Sequence, residues 1–229
     1  MNIRSFKNRS LFEDDADFSE ISKFFVGIGC ATIVINKKEE ESDKEIKILV
    51  QKVKTVGSNN ETFIQLYDSN SILSEDHLFF SAFFSIKSYL QGTNISNNIG
   101  IENLLYASQQ RQINLAIDSV GFKIQNEKER QIFYYTITGK GEGRITKSND
   151  DLIESIGCTK CTNLSFPPNK EKIVSIQEKF KISDFELLNS IRITEYLDEL
   201  KINTIPIKTL ETAILRCLIE NMSLLSMEK

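Results

Sequence analysis

Between Leu78 and Ile86 the chain reads LFFSAFFSI, and Leu78, Phe79, Phe80, Phe83, Phe84 and Ile86 leave a helix there almost no polar face. Such a helix is stable only when neighbours cover it on several sides, so this segment belongs in the middle of a fold. It is also about half the ~20 apolar residues that a membrane-spanning helix needs. Ile28 to Ile35, the other most apolar stretch, is equally short, so the sequence predicts a folded domain with no membrane span.

Around that helix the apolar periods alternate between strand and helix. Phe24 to Asn36 is β-branched and aromatic, with Gly27 and Gly29 where a strand bulges or admits a close neighbour. Asp43 to Val56 repeats at helical spacing up to Gly57, and Thr62 to Tyr67 alternates as a strand. Ser74 opens the apolar helix and Gly92 closes it, and a third helix is expected from Ile99 to Ser119. Gln131 to Thr138 reads as a strand, then a GKGEG turn, a short helix capped by Ser148, and helices over 170–179, 183–199 and 208–222. The order lacks a βαβ rhythm. It predicts an α+β fold: a two-layer sandwich of a small mixed, mostly antiparallel sheet packed with helices, plus a helical C-terminal part. A length of 229 residues and 40 % hydrophobic side chains suit one domain with its own core.

Composition excludes several chemistries. With 28 basic against 32 acidic residues the net charge is -4, which argues against coating nucleic acid by bulk charge and makes any anion site local. His77 is the only histidine, so multi-histidine zinc sites are excluded and a Ser-His-acid or Cys-His site would have to use that one residue. The acidic segment Met1 to Glu20 has no signal-peptide apolar run, and with four cysteines the chain reads as a cytoplasmic protein in a reducing compartment. Gly139 to Arg144 lacks the Gly-Lys-Ser/Thr of a phosphate loop. Cys158 and Cys161 have redox or half-zinc spacing without a second CxxC, while Cys30 and Cys217 read as core residues. No cofactor or metal is expected.

Two stretches suggest binding. Within the expected third helix, Ser108, Gln109 and Gln112 fall on the apolar face beside Arg111. They either bond to backbone elsewhere or line a site that something enters. Ahead of that helix, Thr93 to Asn98 supplies hydroxyls, amides and a helix N-terminus, which serve either as ordinary capping or as an anion cradle.

The same residues carry a resemblance. Asn94-Ile95-Ser96-Asn97, then Ile101 to Ser108, then Gln110-Arg111-Gln112-Ile113, resemble the signature of the smallest, kinase-binding subunit family of the KEOPS complex. Ile64 to Asp68, His77-Leu78 and the tail Leu218 to Lys229 follow in that family's order, while residues 1–20 look like a flexible N-terminal extension and about 189–208 like an insertion. The resemblance implies a non-catalytic regulatory subunit. It would bind the atypical kinase/ATPase subunit, capture the single-stranded CCA end of tRNA and support threonylcarbamoyladenosine modification of tRNA. On that reading Ser96, Asn97, Arg111 and Gln112, with Lys87 and His77 as weaker choices, are the expected tRNA contacts. Leu218, Met222, Leu224 and Leu225 are expected either to meet the kinase or to pack the last helix. Two other readings are a protein adaptor of the kinase without RNA binding and a thiol enzyme built on Cys158 and Cys161.

Overall fold

The computed structural model describes residues 1–6, 18–34, 42–124, 130–162, 164, 166, 169–191 and 205–227. Along the chain come β1 (Asn2–Ser5), α1 (Phe18–Ile21), β2 (Phe24–Val34), α2 (Ser42–Asn60), β3 (Thr62–Asp68), α3 (Glu75–Gln91), α4 (Ile99–Ser108) and α5 (Ile113–Val120). Then follow β4 (Arg130–Lys140), α6 (Glu142–Ile156), β5 (Thr159–Lys160), α7 (Lys170–Lys179), α8 (Asp184–Ile191) and α9 (Ile207–Met227).

β2 and β4 pair antiparallel along their whole length, from Phe24 opposite Lys140 to Val34 opposite Arg130. β3 adds to the far side of β4, while β1 and β5 share the other edge of β2. Every pairing among these strands is antiparallel, and the fold is α+β. Because side chains alternate along a strand, the sheet feeds two cores. Val26, Ile28, Cys30, Tyr67 and Tyr134 pack with α3, α4, α7 and α9. Ala31, Leu66, Phe133, Tyr135 and Ile137 pack with α2 and α6. The sheet is therefore the middle of three layers, where the sequence suggested two.

Residues 2–5 are part of this sheet, where the sequence reading had a flexible extension. The Arg4 guanidinium lies 3.7 Å from the centre of the Phe79 ring and donates to Asp76 at 2.5 Å, and the buried Phe6 stacks on Phe79 at 4.9 Å. Residues 7–17 lie outside the described residues. Of the stretch 189–208, Asn189 to Ile191 complete α8 and Ile205 to Lys208 lead into α9, and the rest lies outside. Residues 35–36 of the expected strand and 192–199 of the expected helix lie outside as well.

Three local expectations change. α2 runs through Gly57, where a Cβ would stand 2.8 Å from the Thr62 carbonyl oxygen, so that glycine serves close packing and does not stop the helix. α6 begins at Glu142, and Ser148 is no cap: it is buried and shares a 2.7 Å hydrogen bond with Thr62. The third helix is two helices, α4 and α5, separated at Gln109 to Gln112. The apolar helix is as expected, with Ser74 accepting from the His77 N–H and Gly92 left-handed at φ 67°.

Gly29 of β2 lies opposite Tyr135 of β4. The tyrosine ring covers it so closely that a Cβ would sit 2.1 Å from the ring, and the Tyr135 hydroxyl donates to Asn149 of α6 at 2.6 Å. Gly29→Ala must push the ring off this seat, and we expect a loss of roughly 1 to 3 kcal/mol from overpacking, read as a lower urea midpoint with an unchanged slope. A wild-type midpoint in Gly29→Ala would contradict this account of the glycine.

Candidate functional site

The turn before α4 is built round a buried carboxylate. Glu102, 1 % exposed, reaches back from the first turns of α4 and accepts from the Ile95 N–H at 3.1 Å, the Ser96 N–H at 2.8 Å and the Ser88 hydroxyl at 3.2 Å. Asn98 caps the helix by accepting from Gly100 and Ile101. Of the donors that composed an anion cradle in sequence, the Ile95 and Ser96 amides are thus held by the protein's own carboxylate, which fits the positive end of the helix dipole, and the first helical amides by Asn98. Asn97 stays exposed and accepts from Asn94 at 3.4 Å.

His77 sits in the core, 0 % exposed, at the start of α3. Its Nδ1 accepts from the Leu73 N–H at 3.3 Å, so Nε2 carries the proton and donates to the Ala107 carbonyl at 2.9 Å. This ties the start of α3 to the end of α4. Burial lowers its pKa from 6.5 to about 4. It is a neutral structural group and has no surface from which to meet tRNA. Lys87 lies half-buried further along α3.

Asn103, fully buried in α4, accepts from Ser81 at 2.6 Å and donates to Thr136 of β4 at 3.0 Å, and Thr136 also meets the Tyr67 hydroxyl at 3.3 Å. These polar side chains pin α3, α4 and the sheet together, and no sequence pattern set them apart from exposed ones.

At the other end of α4 the helix ends in a left-handed residue that is not glycine, Gln109 with φ 56°. Its side chain is bonded on both sides to α9: Nε2 donates to the Leu218 carbonyl at 3.3 Å and Oε1 accepts from Asn221 at 3.1 Å. Ser108 is buried and donates to Leu105 within its own helix. Gln112 lies at the exposed N-cap of α5. The expectation of three polar groups turned into one apolar face is therefore overturned, because the break at Gln109 ends the helical phase that would align them.

The break instead leaves a hollow of about 460 Å³, open to solvent, lined by Gln110, Arg111, Gln112 and Leu115 on one side and Asn221, Leu224 and Leu225 on the other. It brings Arg111 and Gln112 together with two of the four expected kinase contacts. Ser96 and Asn97 are at the opposite end of the ten-residue α4, about 15 Å away at helical rise. Leu218 and Met222 are 0 % exposed and pack the core. Leu224 is exposed and Leu225 half-buried, so only these two of the four reach the surface.

A second, larger concavity of about 910 Å³ runs along the outer side of β3, between Leu49 and Val53 of α2 and Ile101 and Ile117 of α4 and α5. Phe122 closes one end of that edge by donating to the Leu66 carbonyl at 3.3 Å. Val50 and Ile117 on its rim are exposed, and no residue pattern in the sequence flagged it.

Burial pushes the Cys158 thiol up to about 11 and, with its side-chain interaction with Cys161, the Cys30 thiol up to about 12. Both are protonated at neutral pH, contrary to what a Cys158 nucleophile requires. Burial also pulls Lys172, whose ammonium lies 5.6 Å from the centre of the Tyr134 ring, down to about 8. Among the described residues no group of three or more His, Cys, Asp or Glu is arranged to hold a metal, and no helix is long and apolar enough to cross a membrane. No protein-family model and no curated protein matches the chain.

Two outcomes test this account. Because unfolded His77 takes up a proton near pH 6.5 and the folded residue only near 4, stability falls as pH drops from 6.5 toward 4, by at most roughly 3 kcal/mol. In urea titrations at pH 7 and pH 5, His77→Gln should lose less stability than wild type over that interval, and equal losses would contradict the neutral-core assignment. Glu102→Ala strips the Ile95 and Ser96 amides of their acceptor. It should cost about 2 kcal/mol and speed hydrogen exchange at those two amides, whereas unchanged exchange would contradict the cradle description.

Proposed function

We propose that this chain is a non-catalytic binding subunit of the kind its 94–113 segment resembles, one that holds the atypical kinase/ATPase subunit of KEOPS and takes the 3′ CCA end of tRNA in support of threonylcarbamoyladenosine modification. The observation that carries this reading is the open hollow between α4, α5 and α9. A single-stranded nucleotide end needs a cation for its phosphates, amides for base edges and an apolar wall. Arg111, the side chains of Gln110 and Gln112, and Leu115 with Leu224 offer these within one concavity. A net charge of -4 is compatible with such a local site.

The kinase contact falls on the last turns of α9, at the exposed Leu224 and Met227 and the half-buried Leu225, of which Leu224 and Leu225 also line the hollow. RNA and kinase would then meet side by side. In a gel shift, wild-type protein should retard intact tRNA and not tRNA trimmed of its CCA end, and Arg111→Glu should abolish the shift. Equal retardation of both tRNAs refutes tail capture. In a pull-down, Leu224→Glu should reduce recovery of the kinase subunit at least several-fold, and undiminished recovery refutes this contact.

A second reading, a protein adaptor of the kinase without RNA binding, is favoured by the larger apolar groove beside β3, whose exposed Val50 and Ile117 suit a protein partner. It expects recovery of the kinase with no retardation of either tRNA.

A further inference from the structure

The CxxC spacing pairs Cys158 with Cys161 on paper, but the sheet separates them. β5 runs extended between the two, and residues three apart on an extended strand point to opposite faces. Cys158 accordingly packs with Ala31, Tyr135 and Leu152 on the α2 and α6 side. Cys161 packs on the other side, where Cys30 belongs to the core.

The register decides which thiol Cys161 meets. Lys160 lies opposite Ala31 and Thr159 opposite Thr32, so Cys161 lies opposite Cys30. The Cys161 N–H donates to the Cys30 carbonyl at 3.0 Å. One of the two bonds of a hydrogen-bonded antiparallel pair is thus made just past the end of the ladder, and the Cα atoms of such a pair stand about 5.5 Å apart. Disulfides form across Cα separations of roughly 4.4 to 6.8 Å. All four cysteines are free thiols, Cys30 buried and Cys161 half-buried.

We propose that Cys30 and Cys161 form a reversible thiol–disulfide pair, closed by a low-molecular-weight disulfide such as oxidised glutathione. Cys161, the more exposed of the two, gives up its proton and attacks one glutathione sulfur, forming a mixed disulfide and releasing a glutathione thiolate that takes the proton. The Cys30 thiol then loses its proton and attacks the Cys161 sulfur, releasing the second glutathione in the same way. Two protein thiols are oxidised to one disulfide and one oxidised glutathione is reduced to two thiols. The order follows from burial, which holds the Cys30 thiol up to about 12 and makes it the slower, resolving partner.

The bond would fasten a short edge. β5 pairs with β2 through two residues only, and just beyond it Phe166 stacks on Tyr134, the residue opposite Cys30 on β4, at 4.1 Å. Closing the pair fastens Cys161, just past β5, to β2. Directly opposite Cβ atoms stand about 4.5 to 5.5 Å apart and a disulfide wants about 3.5 to 4.5 Å, so the bond is within reach of a small movement of this edge.

The full chain incubated with oxidised glutathione, then alkylated in denaturant and mapped by peptide mass, tests the pair. The expected result is loss of two alkylatable thiols and a linked peptide joining Cys30 to Cys161, reversed by dithiothreitol. Cys158→Ser should leave that link intact, and Cys30→Ser should trap Cys161 as its glutathione adduct. A link between Cys158 and Cys161, a wild-type chain stopped at the mixed disulfide, or four thiols still alkylatable would each overturn the proposal.

Discussion

The eleven-residue antiparallel ladder between β2 and β4 is the constraint on which the other elements depend. Both strands are covered on both faces, and their backbone polar groups bond to each other on one edge and to β1, β5 or β3 on the other, while their side chains supply two separate cores. That arrangement fixes where helices must go. α2 and α6 close one face, α3 and α4 with α9 the other, and the apolar α3 has sheet and helices round it, as a helix without a polar face requires.

Within the larger core, specificity comes from polar pins. His77 to the Ala107 carbonyl, Asn103 between Ser81 and Thr136, and Glu102 beneath the Ile95-Ser96 amides all tie α4 to α3, to the sheet or to its own entry turn. A buried polar group is costly unless every partner is present, so each bond holds only one relative placement of these elements. The consequence for function is that both ends of α4 are rigidly defined. One end is filled by Glu102, and the other, at Gln109, is anchored to α9 and leaves the hollow around Arg111 open.

Much of the fold was legible in sequence because its signals are local. The β-branched and aromatic run from Phe24 to Val34, the alternation in Thr62 to Tyr67, the Ser74 cap and the Gly92 stop each depend on residues within one turn or one strand. β1 was missed because four residues without a strong pattern become a strand only by pairing with β2. The break at Gln109 was missed because glutamine carries no stop signal, and its left-handed backbone goes with bonds to α9 more than a hundred residues away. Of the expected site residues, Arg111, Gln112, Leu224 and Leu225 share one concavity. Ser96 and Asn97 lie at the far end of α4, and His77, Leu218 and Met222 lie inside the protein.

The amino-acid order alone determined the α+β class, the central position of the helix at Leu78 to Ile86, the absence of any multi-histidine metal site and that bulk charge does not suit the chain to coat nucleic acid. Only the tertiary structure decided that Cys161 faces Cys30 instead of Cys158, that Glu102 occupies the cradle before α4, and that the lone histidine is a neutral core residue. The physical reason is range. Periodicity and caps act between neighbours in the chain, whereas strand register and the partner of a buried polar group are set by segments that meet only when the layers close.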